Sequence, residues 1–363
     1  MFYQFLYPLR DLFFGFNIFR YITFRTIAAL ITAFILSIIL GPLIIKLLRH
    51  FNIGQHVRDE SQAPGIYPLH KHKEGTPTMG GLIMLIAIVA STVLWARLDN
   101  YYVLLTLFST VWLGGVGFID DYIKLKEQDS SGLTTKTKLL GQVIIGLIVG
   151  FILFFDKNID STVHFPFFKN AVYNIGIFYI LFVTLVIVAA SNSVNLTDGL
   201  DGLAVGCIIM VAFSYTAVSY IVGNFNFSNY LFLKFIPGAG ELAVYCAAIV
   251  GAGLGFLWFN SYPASVFMGD IGSLALGGGI GVVSCCIKKE MLLLIAGGIF
   301  VLEAISVILQ VASFKLRRQR IFLMAPFHHH LQMKGWNESK IVVRFWIIGI
   351  ILALFTLGTL KLR

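Results

Sequence analysis

Ile27-Ala-Ala-Leu-Ile-Thr-Ala-Phe-Ile-Leu-Ser-Ile-Ile-Leu-Gly-Pro-Leu-Ile-Ile-Lys-Leu-Leu48 runs through 22 residues with Lys46 as its one charge. A helix of that length is roughly 33 Å long, enough to cross a hydrocarbon layer of about 30 Å. Similar runs follow near 79–96, 101–119, 139–155, 172–190, 200–222, 241–259, 271–287, 291–314 and 341–360. Across the whole chain 58% of residues are apolar and 12% are charged, and the mean hydropathy is +0.85. Soluble domains carry about 25% charged residues. A soluble enzyme, a secreted disulfide scaffold and a disordered chain are therefore excluded. The runs are continuous rather than alternating, which argues against a membrane barrel. The expected fold is all-α, a polytopic integral membrane protein with about ten transmembrane helices.

No internal repeat or linker divides residues 1–363, so one transmembrane domain is expected. Residues 1–25 are rich in aromatics but broken by Arg10, Asp11 and Arg20, and read as a helical segment lying in the interface. No small-residue cleavage site follows the first span, so a removable signal peptide is not expected. Cys207, Cys246, Cys285 and Cys286 lie in apolar stretches without C-x-x-C spacing and read as packing residues.

Ten crossings put both termini on one side. The odd loops carry Arg49, Arg58, Lys71, Lys73, Lys124, Lys126, Lys136, Lys138, Lys315, Arg317, Arg318, Arg320, Lys334 and Lys340. The even loops carry Arg97, Lys157, Lys169, Lys234, Lys288 and Lys289. Fourteen cations against six place the odd loops in the cytoplasm and both termini on the periplasmic side. The net charge of +9 is then concentrated on the cytoplasmic face, where it suits anionic lipid headgroups or a polyphosphate ligand. Nucleic acid is not an expected partner, because no soluble basic domain is present.

The unusual polar residues fall on those same odd loops. Asp120 and Asp121 end the third run. Asn192, Asn195, Asp198 and Asp201 lie between the fifth and sixth. Asn260 and Asp270 follow the seventh, His328, His329 and His330 follow the ninth, and Lys73 precedes the second. One such pair reads as a solvated helix end; five carboxylates gathered at one surface do not. Adjacent carboxylates near a membrane need a counter-cation. An aspartate cluster without cysteine suits Mg²⁺ or Mn²⁺, which is commonly held by one or two carboxylates and substrate phosphates. The three histidines could bind zinc, contact phosphate or sugar, or be structural; consecutive side chains do not easily converge on one ion. Glu303 and Gln310, seven apart in the ninth run, read as an interhelical hydrogen-bonding pair. Gly251, Gly253 and Gly255, and the run from Gly277 to Gly281, lie inside spans and read as helix-packing positions. No P-loop is present.

With these residues in place the sequence resembles the polyprenyl-phosphate N-acetylhexosamine-1-phosphate transferases over essentially its whole length. The motifs are Gly75-Thr-Pro-Thr-Met-Gly-Gly81, Asp120-Asp121-Tyr122, Asn195-Leu-Thr-Asp-Gly-Leu-Asp-Gly-Leu203, Phe267-Met-Gly-Asp-Ile-Gly-Ser273 and Ala325-Pro-Phe-His-His-His330 followed by Gly335-Trp336. The histidine triplet is similar to the muramoyl-pentapeptide branch. Ile271 stands where Thr is usual, and Leu331-Gln332 where an aromatic or apolar residue and Glu are common.

The resemblance implies transfer of phospho-MurNAc-pentapeptide from UDP-MurNAc-pentapeptide to undecaprenyl phosphate, with Mg²⁺, at the cytoplasmic face of a bacterial plasma (inner) membrane, by a homodimer among membrane lipids. It implies catalytic roles for Asp120, Asp121, Asp270, His328, His329 and His330. Asp270 and Asp120 would ligate the metal. Substrate contacts would come from Lys73, Thr78, Lys138, Asn195, Asp198, Gly199, Leu200, Asp201, Asn260 and Phe267, the last stacking on uracil. Asp120 could act as a base toward the lipid phosphate or as a covalent nucleophile. Two other readings compete. A GlcNAc-1-phosphate transferase should lack the histidine triplet, and an ion-coupled transporter should carry its acids near mid-membrane.

Overall fold

A computed structural model describes residues 1–51, 75–127, 132–168 and 172–361. Helices dominate it. Among the described residues nine, at Ile22–His50, Tyr101–Lys126, Thr135–Phe154, Gly176–Thr197, Leu203–Val222, Ala239–Asn260, Gly269–Cys286, Gly298–Arg317 and Glu338–Lys361, are long and apolar enough to cross a membrane. The second expected span is Gly81–Trp95, only 15 residues and roughly 22 Å long. Its shortness has a cause at the N-terminal side. Residues 77–81 are held by hydrogen bonds to the segment before the Gly269–Cys286 helix: Phe267 N–H donates to Pro77 O, Gly80 N–H to Phe267 O and Gly81 N–H to Met268 O, each at 2.8 Å.

Several boundaries differ from the sequence expectation. The fifth span starts at Tyr179 and ends at Thr197, because Val172–Asn174 pairs with Thr162–His164 as a small antiparallel ribbon. Asn192 and Asn195 consequently sit on a helix rather than in a loop. The third helix runs to Glu127, past Asp120 and Asp121. The ninth span is broken at Gly297 into Glu290–Ala296 and Gly298–Arg317. The histidine triplet lies on a short helix, Phe327–Met333, and not in open loop. The N-terminal arm forms three short pieces, Phe2–Leu6, Tyr7–Asp11 and Phe14–Arg20, instead of one helix.

Burial sorts the helices into two shells. Ile22–His50 exposes Ile27, Ile31, Ile35, Ile39, Leu43 and Leu47 and buries Ala29, Ala33, Ser37 and Gly41, a stripe of small residues at four-residue spacing. A side chain added at Gly251 or Gly255 would collide with that stripe, at Leu30 O and Ser37. Between helices in lipid there is little hydrophobic driving force, so close backbone approach through small residues supplies the attraction. Gly269–Cys286 is enclosed on nearly every side: Gly277 packs on Ala190 and Ser191, Gly278 on Leu113 and Gly279 on Tyr245. The glycine runs are packing surfaces, and all four cysteines are free and buried.

Chain direction divides the polar groups between two ends. Arg25 near the start of Ile22–His50, Trp95 at the end of Gly81–Trp95 and Glu241 before Leu242–Asn260 meet at one end. There Arg25 and Glu241 form a buried bidentate pair, at 2.5 and 2.6 Å, with Arg97 N–H also donating to the carboxylate at 3.1 Å. The aspartates collect at the other end. Arg25→Met should strand the buried Glu241 carboxylate and destabilise the protein by about 3–5 kcal/mol, whereas Arg25→Met/Glu241→Leu should restore most of that loss. Thermal unfolding of the detergent-solubilised variants measures both.

Candidate active site

Helix ends from separate parts of the chain build the site. Asp120 and Asp121 are carried about two turns before the end of Tyr101–Glu127, and Asp270 sits in the first turn of Gly269–Cys286. The three carboxylates are buried, each offering a ligand oxygen within 4.8 Å of the others. Close approach of the two helices makes this possible. Gly117 lets the backbone of Asp270 come so near that an added Cβ would lie 2.3 Å from Asp270 O. Gly269 takes φ +72°, a left-handed conformation costly for other residues. Its missing side chain leaves room for Asp121 Oδ2, which would stand 2.6 Å from a Cβ there.

Each aspartate does something different. Asp121 Oδ2 accepts the backbone N–H of Asp270 at 2.9 Å and of Ile271 at 3.4 Å. It thus satisfies orphan donors at the positive end of the buried helix. Asp120 Oδ1 accepts Leu133 N–H at 2.8 Å, which ties the 132–134 segment to the site. Asp270 Oδ1 accepts from Asn195 Nδ2, which also reaches Ser273 Oγ at 2.8 Å.

Two lysines supply the counter-charge that adjacent carboxylates require. Lys124 Nζ lies 2.7 Å from Asp120, 2.8 Å from Asp270 and 3.5 Å from Asp121. Lys138 Nζ lies 2.6 Å from Asp270 and 3.5 Å from Asp120. Lys138 is among the residues expected at the substrate, and Lys124, which in the sequence reads as one of several loop charges, joins it at the carboxylates. Its signal was present, since positions three and four after the aspartates share their face once the helix continues past residue 119. Gln142, one turn after Lys138, hydrogen-bonds Asn192, which fixes the lysine-bearing helix against the one bearing Asn195.

The other expected residues form a rim. Asp198 follows the end of its helix, and burial, together with the negative charges of Asp270 and Asp121, pushes its carboxyl up to about 8. Asn260 and Asp201 spend their polar atoms on architecture: Asn260 accepts Gly202 N–H at 3.0 Å and donates to Val266 O at 2.9 Å, and Asp201 Oδ2 accepts Ala264 N–H at 3.0 Å. Leu200 is buried, while Gly199, Phe267 and Thr78 are half-buried. Thr78 Oγ1 lies beside Gly269. Lys73 lies outside the described residues.

The histidines diverge, as consecutive helical residues must. His328 is enclosed between Glu303 and Gly199, His329 Nδ1 meets Gln332 Oε1 at 2.8 Å, and His330 Nδ1 accepts Leu323 N–H at 3.1 Å. They do not share one ion. Glu303 and Gln310 do not pair with each other either. Gln310 holds the backbone of Ile321 and Phe322, and Glu303 accepts the backbone N–H of His328. Both residues fasten the 321–330 segment to Gly298–Arg317. An entirely oxygen-donor cluster with cationic neighbours fits a hard divalent ion such as Mg²⁺ and a phosphate-bearing ligand.

Comparison with known proteins agrees with this chemistry. The Glycosyl transferase family 4 model matches residues 101–288, and phospho-N-acetylmuramoyl-pentapeptide-transferase signature 1 matches residues 73–85. The chain is 51% identical over 364 residues to the phospho-N-acetylmuramoyl-pentapeptide-transferase of Desulfotalea psychrophila (strain LSv54 / DSM 12343). It is also 51% identical over 363 residues to the enzyme of that name from Geobacter sp. (strain M21). Both alignments cover 100% of each chain.

Lys124→Met removes the cation that touches all three carboxylates. The variant should unfold at lower temperature than the parent in EDTA, and added Mg²⁺ should raise its midpoint by more than it raises the parent's. Differential scanning fluorimetry with and without the metal checks both shifts.

Proposed function

This chain belongs to the phospho-N-acetylmuramoyl-pentapeptide-transferase family, and on that premise we propose that it moves phospho-MurNAc-pentapeptide from its UDP carrier to undecaprenyl phosphate, forming lipid I and releasing UMP. The observation that carries the reading is the buried carboxylate triad crossed by two lysines at one end of a membrane bundle. Such a set suits a diphosphate and has no use in moving an ion along mid-membrane sites. Lys124 and Lys138 lie at that same end, and the excess of cations on the odd loops of the sequence favours a cytoplasmic site in the bacterial plasma membrane. A nucleotide sugar and a lipid phosphate at the inner leaflet can meet there.

The reaction exchanges one phosphoanhydride for another. An oxygen of the lipid phosphate attacks the sugar-linked phosphorus as the bond to UMP breaks, so no external energy source is needed. Catalysis is then mainly positioning and charge neutralisation. Lys124 and Lys138 would neutralise the diphosphate and the charge that develops on departing UMP. Asp120 would orient the attacking lipid phosphate, and Asp121 would hold the helix N-terminus carrying Asp270. Asp120, Asp121 and Asp270 would hold Mg²⁺, which when bound supplies Lewis-acid stabilisation of phosphoryl oxygens. Phe267 would stack on uracil, and the Asp198–Asp201 rim and the histidines would meet the ribose, phosphates or sugar.

An apolar cavity of about 300 Å³ supports a lipid acceptor. It runs along Tyr179–Thr197, with Phe182, Val186 and Ala190 on one side and Leu293, Phe300 and Val301 on the other, and reaches Ser193, two residues from Asn195. A polyprenyl chain laid there would run along the helix that carries Asn195.

UMP release from UDP-MurNAc-pentapeptide and undecaprenyl phosphate tests the proposal. Activity should vanish in EDTA and return with Mg²⁺. Asp270→Ala and Asp120→Asn should each lower kcat by about 100-fold or more, and His329→Ala should fall below the parent. Full activity of Asp270→Ala would overturn the metal assignment, and turnover of UDP-GlcNAc alone would point to the related GlcNAc-1-phosphate reaction.

A further inference from the structure

Glu303 is a fully buried acid on a membrane-spanning helix, and the transfer chemistry above makes no use of it. An ionised carboxylate in that setting is costly unless it is paired. Among the described residues, the one basic group within ion-pair distance is the His328 ring, whose Nδ1 lies 3.2 Å from Glu303 Oε2. The same carboxylate accepts the backbone N–H of His328, at 3.2 Å through Oε1 and 3.4 Å through Oε2. One acid therefore grips both the main chain and the ring of a single histidine.

The other side of that ring is buried against the turn that carries Asp198 and Gly199. His328 Nε2 is buried and makes no hydrogen bond. It points at Gly199, where a Cβ would lie 2.3 Å away, so only a glycine admits the imidazole beside Asp198. A buried ring nitrogen without a partner is uncommon and calls for an explanation. The Nδ1 contact is bent away from hydrogen-bond alignment, a looseness typical of catalytic contacts that tighten only with substrate in place.

We propose that Glu303 is the positioning residue of His328, pairing with its imidazolium at Nδ1 so that Nε2–H is held toward the Asp198–Gly199 edge of the site as a donor for a phosphate oxygen of the nucleotide sugar. The arrangement follows the logic by which a carboxylate behind a histidine sets its orientation and its proton. The inference rests on His328 being a substrate contact, as read above, and its experiment separates the two.

Steady-state UMP release is measured for His328→Ala, Glu303→Gln, Glu303→Asp and the double variant Glu303→Gln/His328→Ala, with nucleotide sugar and lipid phosphate varied in turn. Glu303→Gln keeps an acceptor for the backbone N–H and removes only the charge. His328→Ala should lose about 100-fold in kcat. Glu303→Gln should lose about tenfold or more, with KM for the nucleotide sugar within about threefold of the parent, and the double variant should stay within about threefold of His328→Ala. Glu303→Asp, which keeps the charge, should exceed Glu303→Gln in kcat, and it carries the test if the glutamine variant does not fold. Parental kcat in Glu303→Gln beside an impaired His328→Ala overturns the positioning role and leaves the histidine reading intact. Losses that multiply in the double variant also overturn it, since Glu303 would then act on something other than His328. Full activity in His328→Ala removes the reading on which the inference stands.

Discussion

Three carboxylates within one ligand sphere, buried at the edge of a membrane, are the constraint around which this molecule is organised. Their mutual repulsion and desolvation would exclude such a cluster from an ordinary bundle. It persists because Lys124 and Lys138 cross it, because backbone N–H groups of Asp270, Ile271 and Leu133 satisfy the remaining lone pairs, and because Asn195 holds Asp270 from a third helix. Without the lysines the aspartates would keep these hydrogen bonds but lose the counter-charge beside them.

That cluster in turn explains packing far from it. Bringing Asp270 against Asp121 requires the Gly269–Cys286 helix to lie against Tyr101–Glu127 with almost nothing between them, hence the contacts through Gly117 and Gly278. A helix enclosed on all sides needs neighbours that approach equally closely, hence Ala190, Ser191 and Tyr245 against its glycines. The buried Arg25–Glu241 pair closes the opposite end, joining the two helices whose small-residue stripes run between the poles. The geometry of the carboxylate cluster and the abundance of glycine are thus two views of one packing problem.

Much of this was legible from composition and order alone. Ten apolar runs, their alternating loop charges and the placement of acids on odd loops put residues 120, 195 and 270 at one surface, and the structure brings Asp120 within one ligand sphere of Asp270 and Asn195 into a hydrogen bond with it. The exceptions share a cause. Lys124 reads as a loop charge because an apolar run ends where charge begins, whereas its helix continues for two more turns. Asn192 and Asn195 read as loop residues for the same reason, polar side chains at a helix end resembling a turn. Glu303 and Gln310 share a helix face at seven-residue spacing, yet each turns to the 321–330 segment, a partner that no periodicity could name.

The sequence by itself therefore determined that the chain crosses a membrane many times, which loops share a side, and which acids are available there, because hydropathy and charge act residue by residue. Only the tertiary structure decided which acid faces a lysine, which caps a helix and which histidine nitrogen is left open. Those outcomes depend on distances of a few ångströms between helices remote in the chain, set by close packing through residues with no side chain in the way.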